Sequence, residues 1–393
     1  MPSNERENQR IERKKLKENK TKKVVWIILG IFILLLIVMK VCEIDFADIK
    51  NKVSATNLSS SVANNDFPYI IDIRKDANLQ LINGKFYVLS DTGVVSLDPS
   101  TAKESYSFDH GYASPVLKSN GNYTCLFDRG GTRVRLDSTS ENLYEKTLDR
   151  NIITAEVAKN GTIVYSSFCD DSKSKIVVIN KNENKKLEYD VNDGYVTSLA
   201  VNSNATKIAY TSVNSQNAFL SSTVHILSVS DKEELFKIEY NKANILDLHF
   251  TDSDNLYVVG DTFLSLVKSS KNAEYIFKQG TISTINYCYT SSNELVINYG
   301  DFSNSSKSKL DYVKSNGKIK TSITLKENSK FISSNSNEIT VLFHNRIDVY
   351  SLTKGDKKQS VKCDGSVNSA YTISSKIYIQ YGQCIDTADK KDK

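Results

Sequence analysis

The chain is poor in the residues that most often carry chemistry. Its 393 residues include four histidines, two methionines, four prolines and one tryptophan. His110, His225, His249 and His344 are far apart without metal-ligand spacing, so each reads as a surface or satisfied strand residue. "TDSDN" (Thr251 to Asn255) has aspartates two apart but lacks the third ligand, the glycine and the bidentate glutamate of a calcium loop. It reads as a turn, and "CDDSKSK" from Cys169 as a charged loop. There is no P-loop, no G-x-S-x-G elbow, no H-E-x-x-H pair and no readable carboxylate cluster. These absences exclude the enzyme classes that announce themselves in sequence. No catalytic residue, metal site or cofactor is expected.

Basic charge is also missing from most of the chain. Residues 1–23 carry nine Lys and Arg against four Glu, which accounts for the whole net charge of +5. Beyond that tail the acidic and basic residues balance, so the pI of 8.6 does not signal nucleic-acid binding. Cysteine is sparse, with five residues beyond Cys42 (Cys125, Cys169, Cys288, Cys363 and Cys384) and no tight spacing. Free, mostly buried thiols are the expectation, with Cys363–Cys384 the best candidate if any pair forms.

What is present begins with "VVWIILGIFILLLIVM", Val24 to Met39, a run without a charge. Letting Lys40 snorkel extends it to Cys42, or roughly 28 Å of helix, enough to span a hydrocarbon core. It is apolar all round, unlike a buried core helix with a polar stripe. A cleaved signal would need a small-residue site close behind, whereas the first tolerable one, Val53-Ser54-Ala55, lies too far on. Met39-Lys40-Val41 before Cys42 makes a poor lipoprotein box. A single-pass transmembrane anchor over 24–42 is expected. The basic flank precedes it, so residues 1–23 fall in the cytoplasm and the remainder outside. Residues 43–66 are Ser/Asn-rich and read as a linker whose coil would reach roughly 27 Å.

From Phe67 the chain has almost no helical periodicity. "GKFYVLSDTGVVSLDPST" (Gly84 to Thr101) is written as a β-hairpin, with β-branched and aromatic arms around a Gly-bearing turn. A lone hairpin cannot bury enough apolar area to offset its ordering entropy. Its first arm therefore has to recur, and it does. "KFYVLS", "NYTCLF", "TIVYSS", "KIAYTS", "NLYVVG", "ELVINY", "EITVLF" and "KIYIQY" begin at Lys85, Asn122, Thr162, Lys207, Asn255, Glu294, Glu338 and Lys376. The mean interval is about 42 residues, the period of a four-stranded propeller blade. The arms are apolar on both alternations, which fits a sheet covered on both faces. The expectation is an all-β propeller of eight blades over 67–386, with seven the alternative, followed by a charged tail over 387–393. The last unit is one strand short, and "PYIIDIR" (Pro68 to Arg74) is placed to complete it as the outermost strand.

Three segments between arms are long and polar yet hold a phenylalanine: "SSFCDDSKSK", "TSVNSQNAFLSST" and "YGDFSNSSKSK", with Phe168, Phe219 and Phe302. They are equivalent, so they emerge on one face of the ring. Those three residues form the candidate interaction surface.

"SLDPST" at Ser96, echoed by "RLDSTS" at Arg135, resembles the Leu-Asp-x-x-Thr phrase of quinoprotein-like propeller repeats. The whole layout resembles an uncharacterised family of membrane-anchored propeller proteins of clostridial-type Gram-positive bacteria. That resemblance implies a cell-surface location and no known activity. Quinone-dependent propeller dehydrogenases dock blades through Trp, whereas the only one here, Trp26, lies in the apolar run. The function expected is a surface-exposed, non-catalytic scaffold that binds an envelope protein, a peptide or a wall polymer. The alternative is a sensor or enzyme with its site in the central channel, which requires titratable groups converging from the innermost strands.

Overall fold

Each apolar arm of the repeat is the second strand of a four-stranded antiparallel sheet. "KFYVLS" becomes Lys85–Leu89, "NYTCLF" Tyr123–Asp128 and "KIYIQY" Lys376–Tyr381. The computed structural model describes residues 66–71, 77–216, 219–268, 272–278, 282–301, 307–374 and 376–388. The basic tail, the apolar run of 24–42 and the linker up to 65 lie outside the described residues. Within them are eight sheets of four strands and no helix. The sheets span 78–109, 115–147, 152–191, 195–241, 245–278, 282–325, 331–362 and 367–388, numbered here as blades 1 to 8. Eight blades is the observed count, not seven. The final strand, Cys384–Ala388, runs two residues past Asp386, into the segment read as a charged tail.

Between consecutive blades lies one apolar slab, so the core is a ring of separate clusters. Val164, Ile176 and Val178 of blade 3 pack on Leu199, Ile208 and Tyr210 of blade 4. Ala209, Val224 and Ile226 of blade 4 pack on Leu248, Leu256 and Val258 of blade 5. This explains why second strands such as Leu256–Gly260 are buried at every position. Blade 8 packs on blade 1 in the same way, through Phe86, Tyr371 and Tyr378. There the Tyr371 hydroxyl donates to Leu79 O at 2.6 Å, Tyr378 to Pro99 O at 2.7 Å and the Gln380 amide to Ala77 O at 2.6 Å.

The ring closes as expected. Tyr69–Ile70 pairs antiparallel with Cys384–Ala388 and becomes the outermost strand of blade 8. Ile71 N adds a bond to Gln383 O, and the Ile71 side chain is buried. No other strand of blade 8 could cover that edge.

The turns between first and second strands are tight and require left-handed backbone. Asn83 and Gly84 have φ of 49° and 77°, the values of a type I′ hairpin. The same turns link neighbouring blades. Asn83 Nδ2 donates to Asn122 Oδ1 at 2.8 Å, Asn160 Nδ2 to Asn204 O at 3.0 Å and Asn335 Nδ2 to Thr372 O at 2.8 Å. The aspartates of "TDSDN" also join blades: Asp252 accepts from Asn293 of blade 6 and from Lys159 of blade 3, two blades away, and Asp254 from Asn202 and Lys207 of blade 4.

One expectation is corrected here. "TSVNSQNAFLSST" is not a long loop but the tip of an extended hairpin, with ten-residue arms Lys207–Gln216 and Phe219–Ser228. Serine and asparagine on both alternations hid the strands, yet the register continues unbroken to Gln216↔Phe219. All five described cysteines are free, Cys363 and Cys384 included.

Candidate binding site in the central channel

The first strand of each blade is the innermost one, and its side chains divide between the inter-blade slabs and the channel. In Pro115–Asn120, Leu117 is buried while Lys118 and Ser119 line the channel. In Ile245–Phe250, Leu248 and Phe250 are buried while Asp247 and His249 are partly exposed and line the channel. On the side of the first-to-second turns the channel opens into a cavity of about 1110 Å³, to which all eight blades contribute.

Below its mouth four blades bring titratable groups together. Lys118 Nζ of blade 2 lies 2.5 Å from Glu156 Oε1 of blade 3, with 34% and 21% of these side chains exposed. Tyr289 of blade 6 donates to Asp247 Oδ2 of blade 5 at 2.8 Å. The His249 ring stacks on Tyr289, centroids 3.7 Å apart and planes 14° from parallel, and Nε2 donates to Asn293 Oδ1 at 3.1 Å. Asp247 bears on the titration of Lys118, Glu156, His249 and Tyr289, so these groups form one electrostatic cluster.

Their protonation follows from the walls. The Glu156 carboxylate, with Asp247 behind it, raises the affinity of Lys118 for its proton. Burial pushes the Glu156 carboxyl up against the opposing pull of Lys118. Burial likewise lowers His249 below its usual value, so its imidazole is neutral at pH 7. It also raises the Tyr289 phenol well above the ordinary range, so that hydroxyl keeps its proton for Asp247.

The charges do not cancel. Lys118 is met by Glu156, Lys159 by Asp252 at 2.9 Å and Lys358 by Glu338 at 3.1 Å. Among the described residues no lysine or arginine forms an ion pair with Asp247, whose donor is the neutral Tyr289. The arrangement can orient a polar ligand and hold positive charge. Among the described residues no group of three or more His, Cys, Asp or Glu is placed to hold a metal ion.

The three phenylalanines stand apart from this cavity. Phe168 ends the second strand of blade 3, is 49% exposed, and meets the half-exposed Tyr195 edge-on at 6.4 Å. Lys173 Nζ lies 5.6 Å above the Tyr195 ring. Phe219 opens the third strand of blade 4, at the same end of the ring. Phe302 lies outside the described residues. Second-to-third turns face away from first-to-second turns, so the positions of Phe168 and Phe219 lie on the face opposite the cavity.

A second constellation also escaped the sequence. In blade 4, His225 Nδ1 donates to Glu234 Oε2 at 2.5 Å while Nε2 lies 2.9 Å from Ser212 Oγ and 3.2 Å from Asp193 Oδ2. This is the connectivity of a Ser-His-Glu triad. However, Ser212 and His225 are buried, and the Tyr210 ring covers the imidazole at 4.4 Å. No acyl group reaches that hydroxyl without opening the blade. It is the polar knot of a strand trio, with counterparts in other blades.

Residues 56–387 match the profile described as a family of unknown function, DUF5711. The chain belongs to that family. No curated protein matches this DUF5711 chain in sequence. Among solved structures it is similar to Sqt1 of Saccharomyces cerevisiae, with TM-score 0.56 and 11% identity over 83% of this chain and 99% of that one. The C-terminal WD40 domain of Sif2 gives a TM-score of 0.54 and 12% identity over 83% and 99%. Sqt1 of Chaetomium thermophilum, solved bound to the N-terminus of ribosomal protein L10, gives 0.53 and 10% over 83% and 100%. At these identities the likeness establishes a WD40-like propeller fold, and the DUF5711 site has to be argued from its own residues.

Proposed function

We propose that this chain is a membrane-anchored, non-catalytic recognition module displayed outside the cell, which receives a polar segment of an envelope protein or peptide in its central funnel. The observation that carries the reading is the cavity of about 1110 Å³ framed by all eight blades, with Lys118, Glu156, Asp247, His249 and Tyr289 converging inside it. Its volume lies at the upper end of ligand pockets, and its polar wall favours an extended, hydrogen-bonding ligand over a compact apolar one. A propeller of the same fold, the Chaetomium Sqt1, was solved holding the N-terminus of another protein. The anchor rests on the apolar run of 24–42 and the basic flank before it.

The opposite face supports a second contact surface, since Phe168 and Tyr195 are exposed aromatics side by side. A photo-crosslinking residue placed at Ser119, on the funnel wall, is expected to trap a discrete partner on intact, wall-stripped cells. Cross-links at Tyr195 alone would move the site to the other face. Protease added to the same cells should remove the propeller and spare residues 1–23, and a protected propeller would overturn the orientation.

A further inference from the structure

Resting on that recognition reading, we infer that the channel centre binds an organic ammonium group, such as a lysine side chain or a free amine, seated against the Asp247 carboxylate. Every lysine in the lining already faces a carboxylate: Lys118 faces Glu156, Lys159 faces Asp252 and Lys358 faces Glu338. Asp247 is left with the neutral Tyr289 hydroxyl, and because Lys159 is neutralised by Asp252 outside the lining, Asp247 is the lining carboxylate without an ion-pair partner among the described residues. Low-dielectric walls strengthen that charge, and a cavity of this kind concentrates the opposite sign.

The competing ligand classes fit less well. An anion would meet one ammonium, Lys118, that is bonded to Glu156 and has Asp247 nearby. A divalent metal needs several oxygen or nitrogen ligands, and the described residues offer no such group. A neutral ligand would leave the Asp247 charge unmatched. An ammonium matches it and donates up to three hydrogen bonds.

The test uses the full-length chain in detergent and isothermal titration. The probes are acetyl-Gly-Gly-Lys-Gly-Gly-amide, its Nε-acetyl-lysine and glutamate counterparts, and 1,5-diaminopentane. The lysine peptide should bind at least tenfold more tightly than the acetylated one, and the glutamate peptide should not bind. Asp247→Asn should erase that preference while melting like the parent, because its amide oxygen still accepts from Tyr289. Lys118→Gln removes the rival ammonium and should keep or strengthen binding. Diaminopentane matching the peptide would identify a free amine as the source, and weaker binding a polypeptide lysine; both support the ammonium site. Equal affinity for lysine and acetyl-lysine peptides, or an unchanged preference in a folded Asp247→Asn, overturns it. So does failure of both amines to bind, and cross-links at Ser119 would then leave the recognition reading standing alone.

Discussion

Asp311 shows how a residue can be costly to bury and still hold a blade together. It is 1% exposed in the third strand of blade 6, where Tyr299 of the second strand donates at 2.7 Å and Ser322 of the fourth at 2.6 Å. Asp348 in blade 7 repeats the arrangement with Ser360 at 2.6 Å, and His225 with Glu234 is its counterpart in blade 4. Asp311→Ala would strand the buried Tyr299 hydroxyl and leave the exposed Ser322 to solvent, so it should cost about 1–3 kcal/mol, whereas Asp311→Asn should cost less because an amide oxygen still accepts. Denaturant unfolding of the two variants checks the order. Histidine sets the acid limit. Burial lowers His110 and His249 below the usual 6.5, so below about pH 6.5 the unfolded chain takes up protons that the folded chain refuses. Stability should therefore fall as pH drops from about 7 to 5, before most carboxylates titrate. His249→Gln should flatten that fall, and melting curves at both pH values would show it.

The strands differ in how openly the sequence declares them. Second strands are apolar on both alternations because slabs cover both faces, and all eight were legible for that physical reason. First strands were not. "VLKSN" and "ILDLHF" set buried Leu117 and Leu248 beside channel-facing Lys118, Asp247 and His249, so each reads as an ordinary half-exposed strand. The candidate site was invisible for the same reason. Its members are spread over blades 2, 3, 5 and 6, with Asp247 and His249 together on blade 5, and only ring closure brings them together. The closing strand makes the sharpest test at this scale. Among the described residues, Tyr69–Ile70 and the buried Ile71 cover the outer edge of blade 8. Removing residues 66–74 should cost at least about 3 kcal/mol, from one buried Ile, the partly buried neighbours and the lost pairing. A truncated chain that melts with the parent would show that blade 8 holds its position without this strand.

On the scale of the whole ring, the two faces differ in chemistry and in what the chain does there. Antiparallel pairing with Cys384–Ala388 puts the start of Tyr69–Ile70 at the end of the third-to-fourth turns, which is also the funnel side. Polar Asn, Ser and Thr residues frame that mouth. Across the ring, Phe168 and Tyr195 stand exposed where the second strand of blade 3 ends and the first of blade 4 begins. The length of the packed strands separates the two surfaces, so substitutions on one should not reach the other. The double variant Phe168→Ser, Tyr195→Ser gives up one exposed ring contact and a Lys173 cation–π contact, together about 1 kcal/mol or less. Its unfolding midpoint should stay close to the parent's and its affinity for the lysine peptide should be unchanged. A large drop in stability would mean that the two rings pin the seam between blades 3 and 4. An intact fold with weakened peptide binding would mean that the faces communicate, and rigid packing between blades would no longer describe this ring.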